Sequence, residues 1–235
     1  MQEVRAILLV GGQGTRLRSV VSTQPKPLAA IGEKPFLELL LRQLRSQGIR
    51  HLVMCTGYLG DQIESAFGDG RDWDVSIQYS KEDSPLGTAG ALRLARHHVQ
   101  NTAEFLVLNG DSFLEVDFHD LLAFHRGLGN AAATLAVLQV DDAGRYGTVR
   151  VGEGNRIVAF AEKTGEQAPG MINGGVYVFD QAIWSYIPQG PASLETGVFP
   201  QLLGQGMYAR PQSGMFIDIG TPADYARAQE LLRSS

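Results

Sequence analysis

The residues best suited to chemistry gather first in Gly11-Gly12-Gln13-Gly14-Thr15-Arg16 and in Pro25-Lys26-Pro27-Leu28. Glycine has no Cβ, so successive backbone N–H groups can close on an anion. Thr15 adds a hydroxyl, and Arg16 and Lys26 add fixed cations. That inventory suits a polyphosphate such as a nucleoside triphosphate. A plain glycine turn followed by solvated basic residues is the alternative. No Gly-Lys-Ser/Thr closes the loop, which excludes a Walker A sequence. Leu17 stands where the dinucleotide fingerprint needs a small residue, which excludes that motif as well.

A second group is acidic. Asn109-Gly110-Asp111 follows the apolar run 105–108, so Asp111 is expected at the carboxyl end of a strand, where open α/β sheets bind ligands. Asp218 interrupts the apolar string Phe216-Ile217-Asp218-Ile219. Buried without a partner it would be costly, so a cation is expected beside it. One or two carboxylates completed by substrate phosphates suit Mg²⁺. A turn residue at 111 and an outward-facing strand residue at 218 are the alternatives. Leu86-Gly87-Thr88-Ala89-Gly90 reads as a helix start whose dipole favours an anion, or as a tightly packed N-terminus. Glu82 is either a solvated loop carboxylate or the reader of a nucleobase. An ionised carboxylate only accepts hydrogen bonds, which matches the adjacent N1–H and N2–H donors of guanine better than a uracil or thymine edge.

The second half offers Tyr146-Gly147, Glu162-Lys163 and Asn173-Gly174 at the ends of predicted strands. Together they supply a backbone amide, a carboxylate, an ammonium and a carboxamide. The set suits a phosphorylated sugar, with Lys163 for the phosphate and Glu162 and Asn173 for hydroxyls. Singly, they are ordinary surface and turn residues. The five histidines show no metal-ligand spacing.

These groups need a frame, and the hydrophobic pattern supplies one. Residues 6–10, 51–56, 75–79 and 104–108 read as strands, and 37–44, 61–67 and 88–99 as helices. Alternation of this kind calls for a mostly parallel sheet covered on both faces. Residues 133–140, 147–151, 156–162, 174–179 and 215–219 read as further strands, with a hairpin signal at Gly152-Glu153-Gly154-Asn155. Residues 223–232 read as a terminal helix. One domain over 1–235 is the expectation, with nucleotide binding in about 1–115 and the sugar phosphate in about 116–235.

Composition narrows the function classes. Of 235 residues, 44% are hydrophobic, enough for one large α/β core. The net charge of −5 argues against a nucleic-acid surface, so any anion site must be a local cluster of cations. The single Cys55 lies in an apolar run and reads as a core residue. No secretory signal and no apolar run of membrane-spanning length is found. A reducing cytoplasmic location is the expectation, with no membrane and no nucleic-acid partner.

The glycine string, the Pro-Lys-Pro segment, Asn109-Gly110-Asp111, Asn173-Gly174-Gly175 and Asp218-Ile219-Gly220-Thr221-Pro222 occur in the order found in the sugar-nucleotide pyrophosphorylases, or nucleotidyltransferases, and the chain resembles that family over nearly its whole length. Two departures stand out. Arg18-Ser19-Val20-Val21 replaces a stretch where the family usually has a proline, and Phe216 replaces a frequent tryptophan. The resemblance implies a Rossmann-like three-layer α/β/α fold with a mostly parallel mixed sheet. It implies nucleotide contacts at Leu9, Gly11, Gly12, Gly14, Thr15, Arg16, Glu82, Gly87, Thr88, Ala89 and Gly110, and sugar-phosphate contacts at Gly147, Glu162, Lys163, Asn173 and Gly174. It implies catalytic roles for Arg16, Lys26, Asp111 and Asp218, with Mg²⁺ on the two aspartates. Ser193-Leu194-Glu195 resembles a family Ser-x-Glu segment, and either polar residue would also cap a helix. The loop 14–21 with Pro25-Lys26-Pro27 looks most like the guanylyltransferases acting on D-glycero-α-D-manno-heptose 1-phosphate, which make GDP-heptose for surface polysaccharide. GTP and a sugar 1-phosphate are then the substrates, and a monomer or small homo-oligomer the expected state. Mannose 1-phosphate guanylyltransferases, uridylyl- or thymidylyltransferases, and a non-catalytic sugar-nucleotide-binding paralogue remain alternatives.

Overall fold

The computed structural model describes residues 3–17, 19–21, 23–161 and 165–233. The first strand, β1 (Arg5–Leu9), sets the layering. Its Ala6 and Leu8 belong to the same core as Leu37, Leu40 and Leu41. Ile7 belongs to a second core with Val53, Ala89 and Leu92. A strand buried on both faces must lie inside a sheet that is covered on both sides.

A short hairpin, β2 (Ala30–Ile31) and β3 (Lys34–Pro35), leads into α1 (Phe36–Ser46). α1 buries Phe36, Leu37, Leu40, Leu41 and Leu44, an apolar stripe at helical spacing. β4 (His51–Thr56), α2 (Gly60–Phe67), β5 (Ser76–Lys81), α3 (Gly87–Leu94) and β6 (Glu104–Asn109) complete the alternating half. There follow β7 (Ser112–Leu114), α4 (Phe118–Gly127), β8 (Ala133–Val140) and the antiparallel pair β9 (Thr148–Val151) and β10 (Ile157–Ala161). The chain continues through β11 (Gly170–Asp180), α5 (Phe199–Leu202), β12 (Met207–Gln212), β13 (Phe216–Asp218) and α6 (Pro222–Arg233).

Seven strands form one sheet in the order β12-β8-β11-β6-β1-β4-β5. Every neighbouring pair is parallel except the two made by β11, which runs antiparallel to both β6 and β8. The fold is thus a mostly parallel mixed sheet with helices on both faces. β1, β4 and β6 bring their carboxyl ends together. There Gly110 donates its N–H to the Leu9 carbonyl at 2.9 Å. A Cβ on Gly110 would stand 2.6 Å from Val10 Cγ1 and 2.7 Å from that carbonyl oxygen, so only glycine permits this approach. The short pair β7–β13 sets Asp218 opposite Ser112, tying the end of the chain to the residue after Asp111.

α4 and β12 go beyond the hydrophobic reading, as do the short elements β2, β3, β7 and α5. α4 is begun by Asp117, whose carboxylate accepts the N–H groups of His119 (2.9 Å) and Asp120 (3.0 Å), the usual satisfaction of orphan donors at a helix start. β12 contains Pro211, which argues against a central strand. Here it sits at the sheet edge, where a missing donor is tolerated. The residues read as one helix over 88–99 end their α-helix at Leu94 and continue as a tighter turn, Ala95–His98.

β11 is longer than the sequence indicated because it shifts register between Asn173 and Tyr177. Gly175 takes φ +74° in that bulge, and its Cβ would stand 2.4 Å from Ser112 Oγ and 3.1 Å from Asn109 Nδ2. Gly175→Ala is therefore expected to lower unfolding free energy by about 2–3 kcal/mol, combining left-handed backbone strain with overpacking. Urea denaturation measures this. A loss below about 0.5 kcal/mol, the ordinary surface range, would contradict the assigned constraint.

Candidate active site

A cleft of about 430 Å³ opens at the joined strand ends. The glycine string leaves β1 and forms one wall: Gly11, Gly12, Gly14, Thr15 and Arg16 all line it, as does Leu9 at the strand end. Gly11 lies against the backbone after β4, with a would-be Cβ 3.0 Å from Gly57 N, and Gly14 takes φ +58°. Leu17, 1% exposed, anchors the turn in the core while Arg16 stays exposed. The loop is thus held by glycine geometry and one buried leucine, and its cation is left facing the cleft.

Glu82 lines the same cleft beside Cys55. It follows β5, its N–H donating to the Thr56 carbonyl at 2.9 Å. One carboxylate oxygen accepts the Leu86 N–H at 3.0 Å. The other packs so tightly on Gly57 that a Cβ there would meet Glu82 Oε1 at 2.4 Å. The carboxylate is therefore oriented, not a freely solvated loop charge. Burial pushes its pKa up, partly offset by the Leu86 N–H. Burial and the Glu82 charge push the Cys55 thiol up to about 12, so this cysteine is no nucleophile.

The α3 start is divided between packing and the cleft. The N–H groups of Ala89 and Gly90 donate to the Ala192 carbonyl at 3.0 and 3.3 Å, and Ala89 is fully buried. Gly87 and Thr88 do line the cleft. Gly87 takes φ +70°, and a Cβ there would meet Ala192 O at 2.5 Å, so glycine is required on both counts. Thr88 Oγ1 accepts the Leu194 N–H at 2.8 Å and donates to Glu195 Oε2 at 3.1 Å. The Ala89 and Gly90 amides and the Thr88 hydroxyl thus dock the segment that enters a single π-helical turn, Leu194–Val198. Ser193 caps that turn by accepting the Thr196 N–H at 3.2 Å, while Glu195 lines the cleft.

Lys26, 10% exposed in its side chain, reaches Asp111 Oδ2 at 2.6 Å. The Asp111 carbonyl accepts the Ile219 N–H at 3.0 Å, and Asp218 Oδ1 accepts the Gly220 N–H at 2.6 Å. Asp218 feels both Asp111 and Lys26 and is pushed up to about 6, first by burial and then by the Asp111 charge. Two carboxylates and one ammonium thus share a partly desolvated corner. Among the described residues no group of three or more His, Cys, Asp or Glu side chains could hold a metal. The paired aspartates instead fit Mg²⁺, a hard cation that keeps waters or substrate phosphates as its other ligands.

Of the residues assigned to the sugar, Glu162 and Lys163 lie outside the described residues. Asn173 is engaged internally: Oδ1 accepts the Gly175 N–H at 3.0 Å and Nδ2 donates to the Tyr177 hydroxyl at 2.9 Å. Gly174 is buried, its would-be Cβ 2.5 Å from Leu114 Cδ2. Gly147 takes φ +76° in the loop before β9. None of these three lines the cleft. Asn173 connects to it through Tyr177, whose hydroxyl also accepts from Asn109 Nδ2 at 3.4 Å. Asn109 lines the cleft, and its buried Oδ1 has no hydrogen-bond partner among the described residues. Sequence reasoning assigned Asn109 no role, although it heads the Asn-Gly-Asp motif.

The Nucleotidyl transferase family model matches residues 5–235. The D-glycero-α-D-manno-heptose 1-phosphate guanylyltransferase of Aneurinibacillus thermoaerophilus is 39% identical over 98% of this chain and 99% of its own length. The mannose-1-phosphate guanylyltransferase of Mycobacterium tuberculosis is 38% identical over 96% of this chain, which spans only 63% of that relative's length. The HddC protein of Yersinia pseudotuberculosis, solved in complex with GMP-PN, has a TM-score of 0.86 and 30% identity over 97% of this chain and 99% of its own.

The Asp218 geometry has a pH signature. Its folded pKa of about 6 lies above the ordinary 3.8, so between those values the folded state binds more protons than the unfolded one. Its contribution to stability therefore falls as pH rises through that window, and the full cost of the buried charge is present above it. In chelator, Asp218→Asn is expected to be more stable than wild type by about 2–3 kcal/mol above the window, with the advantage vanishing below it. Urea denaturation across pH checks this, and a pH-independent difference would rule out the assigned titration.

Proposed function

The chain belongs to the nucleotidyl transferase family, and from that premise we propose that it transfers the guanylyl group of GTP to a sugar 1-phosphate, with D-glycero-α-D-manno-heptose 1-phosphate as the acceptor. A sugar-phosphate oxygen attacks the α-phosphorus in line, the bond to the bridging oxygen breaks, and pyrophosphate leaves with its electron pair. GDP-heptose is the other product. No general base is needed, because a phosphate monoester is already ionised near neutral pH.

The observation that carries the guanine assignment is Glu82. An oriented, acceptor-only carboxylate faces the cleft, and guanine presents two adjacent donors to such a group. Two guanylyltransferases among the relatives support the same base. Arg16, which lines the cleft, is assigned to the β- and γ-phosphates, and the glycine loop would supply backbone donors. Lys26 is assigned to the α-phosphate, where charge develops, and Lys163 to the sugar phosphate. Asp111 and Asp218 would hold Mg²⁺, which when bound neutralises phosphate charge. Catalysis is then chiefly positioning and charge neutralisation.

The heptose is supported by the loop resemblance at 14–21 and by the likeness to a heptose 1-phosphate enzyme. Mannose 1-phosphate is the second reading, favoured by the likeness to a mannose-1-phosphate guanylyltransferase. A cytoplasmic role in supplying GDP-heptose for surface polysaccharide completes the proposal. Among the described residues no helix is long and apolar enough to cross a membrane.

Pyrophosphate release from each of five nucleoside triphosphates against heptose and hexose 1-phosphates tests the whole reading. GTP should be preferred by about a thousandfold, as expected where buried polar groups must be paired, and Glu82→Gln should erode that preference. Equal use of UTP or dTTP, or unchanged selectivity in the variant, would overturn the guanine assignment. Lys26→Ala should lower kcat by roughly a hundredfold while leaving GTP affinity less affected. A pure KM effect would move Lys26 from the transition state to ground-state binding.

A further inference from the structure

Asp224 stands outside every assigned role, yet its side chain is only 8% exposed. A carboxylate that deeply placed must be paired, and both of its oxygens are committed. Oδ2 accepts from Thr221 Oγ1 at 2.7 Å, and Oδ1 meets Arg145 Nη1 at 2.6 Å. Thr221 Oγ1 in turn accepts the Asp224 N–H at 3.2 Å, which caps α6. The carboxylate is thereby fastened to the turn that follows Asp218, whose Gly220 and Ile219 amides bind Asp218 and the Asp111 carbonyl.

Arg145 comes from the other side, in the loop that carries Tyr146 and Gly147. Its guanidinium lies 5.1 Å over the Tyr146 ring, and Nη2 donates to the Tyr146 hydroxyl at 2.8 Å. The Tyr146 ring meets Phe216 edge-on at 5.6 Å. Phe216 precedes Asp218 by two residues. The loop therefore touches the Asp218 segment on both flanks, through an aromatic contact before it and an ion pair after it. Within the loop, Tyr146 N–H donates to Ala143 O, and Ala143 N–H to Ala168 O.

We propose that Arg145 and Asp224 are positioning residues: their ion pair is a strut that fixes the Tyr146–Gly147 loop against the Asp218 turn and so sets the spacing between the sugar-phosphate side and the carboxylate side of the site. Neither side chain touches substrate in this assignment. The strut rests on the nucleotidyl-transfer reading for its functional meaning, but its mechanical link is testable without turnover.

Hydrogen exchange and steady-state kinetics on Arg145→Met, Asp224→Asn and Arg145→Lys form the test. Methionine keeps a long stem over Tyr146 and removes the charge; lysine keeps the charge and loses the planar fork. In Arg145→Met the Ile219 and Gly220 amides should exchange faster, and in Asp224→Asn the Ala143 and Tyr146 amides should. The loosening thus crosses the strut in both directions. The KM for the sugar phosphate should rise roughly ten- to a hundredfold, with the KM for GTP within about twofold, and Arg145→Lys should recover only part of the loss, because it keeps the charge without the fork that grips Tyr146 and Asp224 together. Loosening confined to the substituted segment would overturn the proposal. So would equal shifts in both KM values, or a lowered melting temperature with both KM values unchanged. If Arg145→Met does not fold, the double variant Arg145→Met/Asp224→Asn leaves no buried charge unpaired and is read in the same way. Absence of turnover in the wild type would count against the nucleotidyl-transfer reading, while the exchange data still decide the strut.

Discussion

Two carboxylates that repel one another must be held side by side, and much of the molecule is arranged around that constraint. Asp111 stands at the end of β6 and Asp218 at the end of β13. The second is desolvated enough to resist ionising beside the first. Three local devices make the pairing tolerable: the Lys26 ammonium on Asp111, the Gly220 amide on Asp218, and the β7–β13 pairing that fixes their backbones. Each comes from a different stretch of chain. The negative corner is thus maintained by tertiary structure, and its two carboxylates against one ammonium leave an excess negative charge that a divalent cation would offset.

The sheet makes this convergence affordable in space. Parallel strands end on the same side, so β1, β4 and β6 deliver their following loops to one place. Close approach is then limited by Cβ atoms, and glycine relieves it at Gly110 against Leu9 and at Gly87 against Ala192. The antiparallel β11 couples the second half to the first by lying between β6 and β8. Its bulge lets Asn173, Tyr177 and Asn109 share one polar cluster beneath the cleft. Stability and site geometry are consequently drawn from the same contacts.

Much of this was legible in the sequence where local pattern and chemistry coincide. The glycine string, β1, β4, α1 and the placement of Asp111 follow from short-range rules of periodicity and turn chemistry. What escaped depends on contacts between distant residues. β12 was hidden by Pro211, because sequence alone does not say which strand will be at an edge. α4 lacked a recognised start, since Asp117 looks like any loop aspartate until its two amide partners are known. At the α3 terminus the packing role of the Ala89 and Gly90 amides could not be read locally, because their acceptor, Ala192, lies far along the chain. Arg145 and Asp224 gave no signal at all, because an ion pair between residues so far apart has no local pattern.

The β7–β13 pairing has a further consequence for how the protein comes into being. During synthesis the chain emerges from its N-terminus, and domains gain structure as segments become available. β7 must then wait, with one edge unsatisfied, until the chain beyond Asp218 has left the ribosome. An unpaired edge can recruit other chains, so the nascent protein passes through an interval of vulnerability set by its own topology. The same order means that the acidic pair cannot form before Asp218 has been made, long after Asp111.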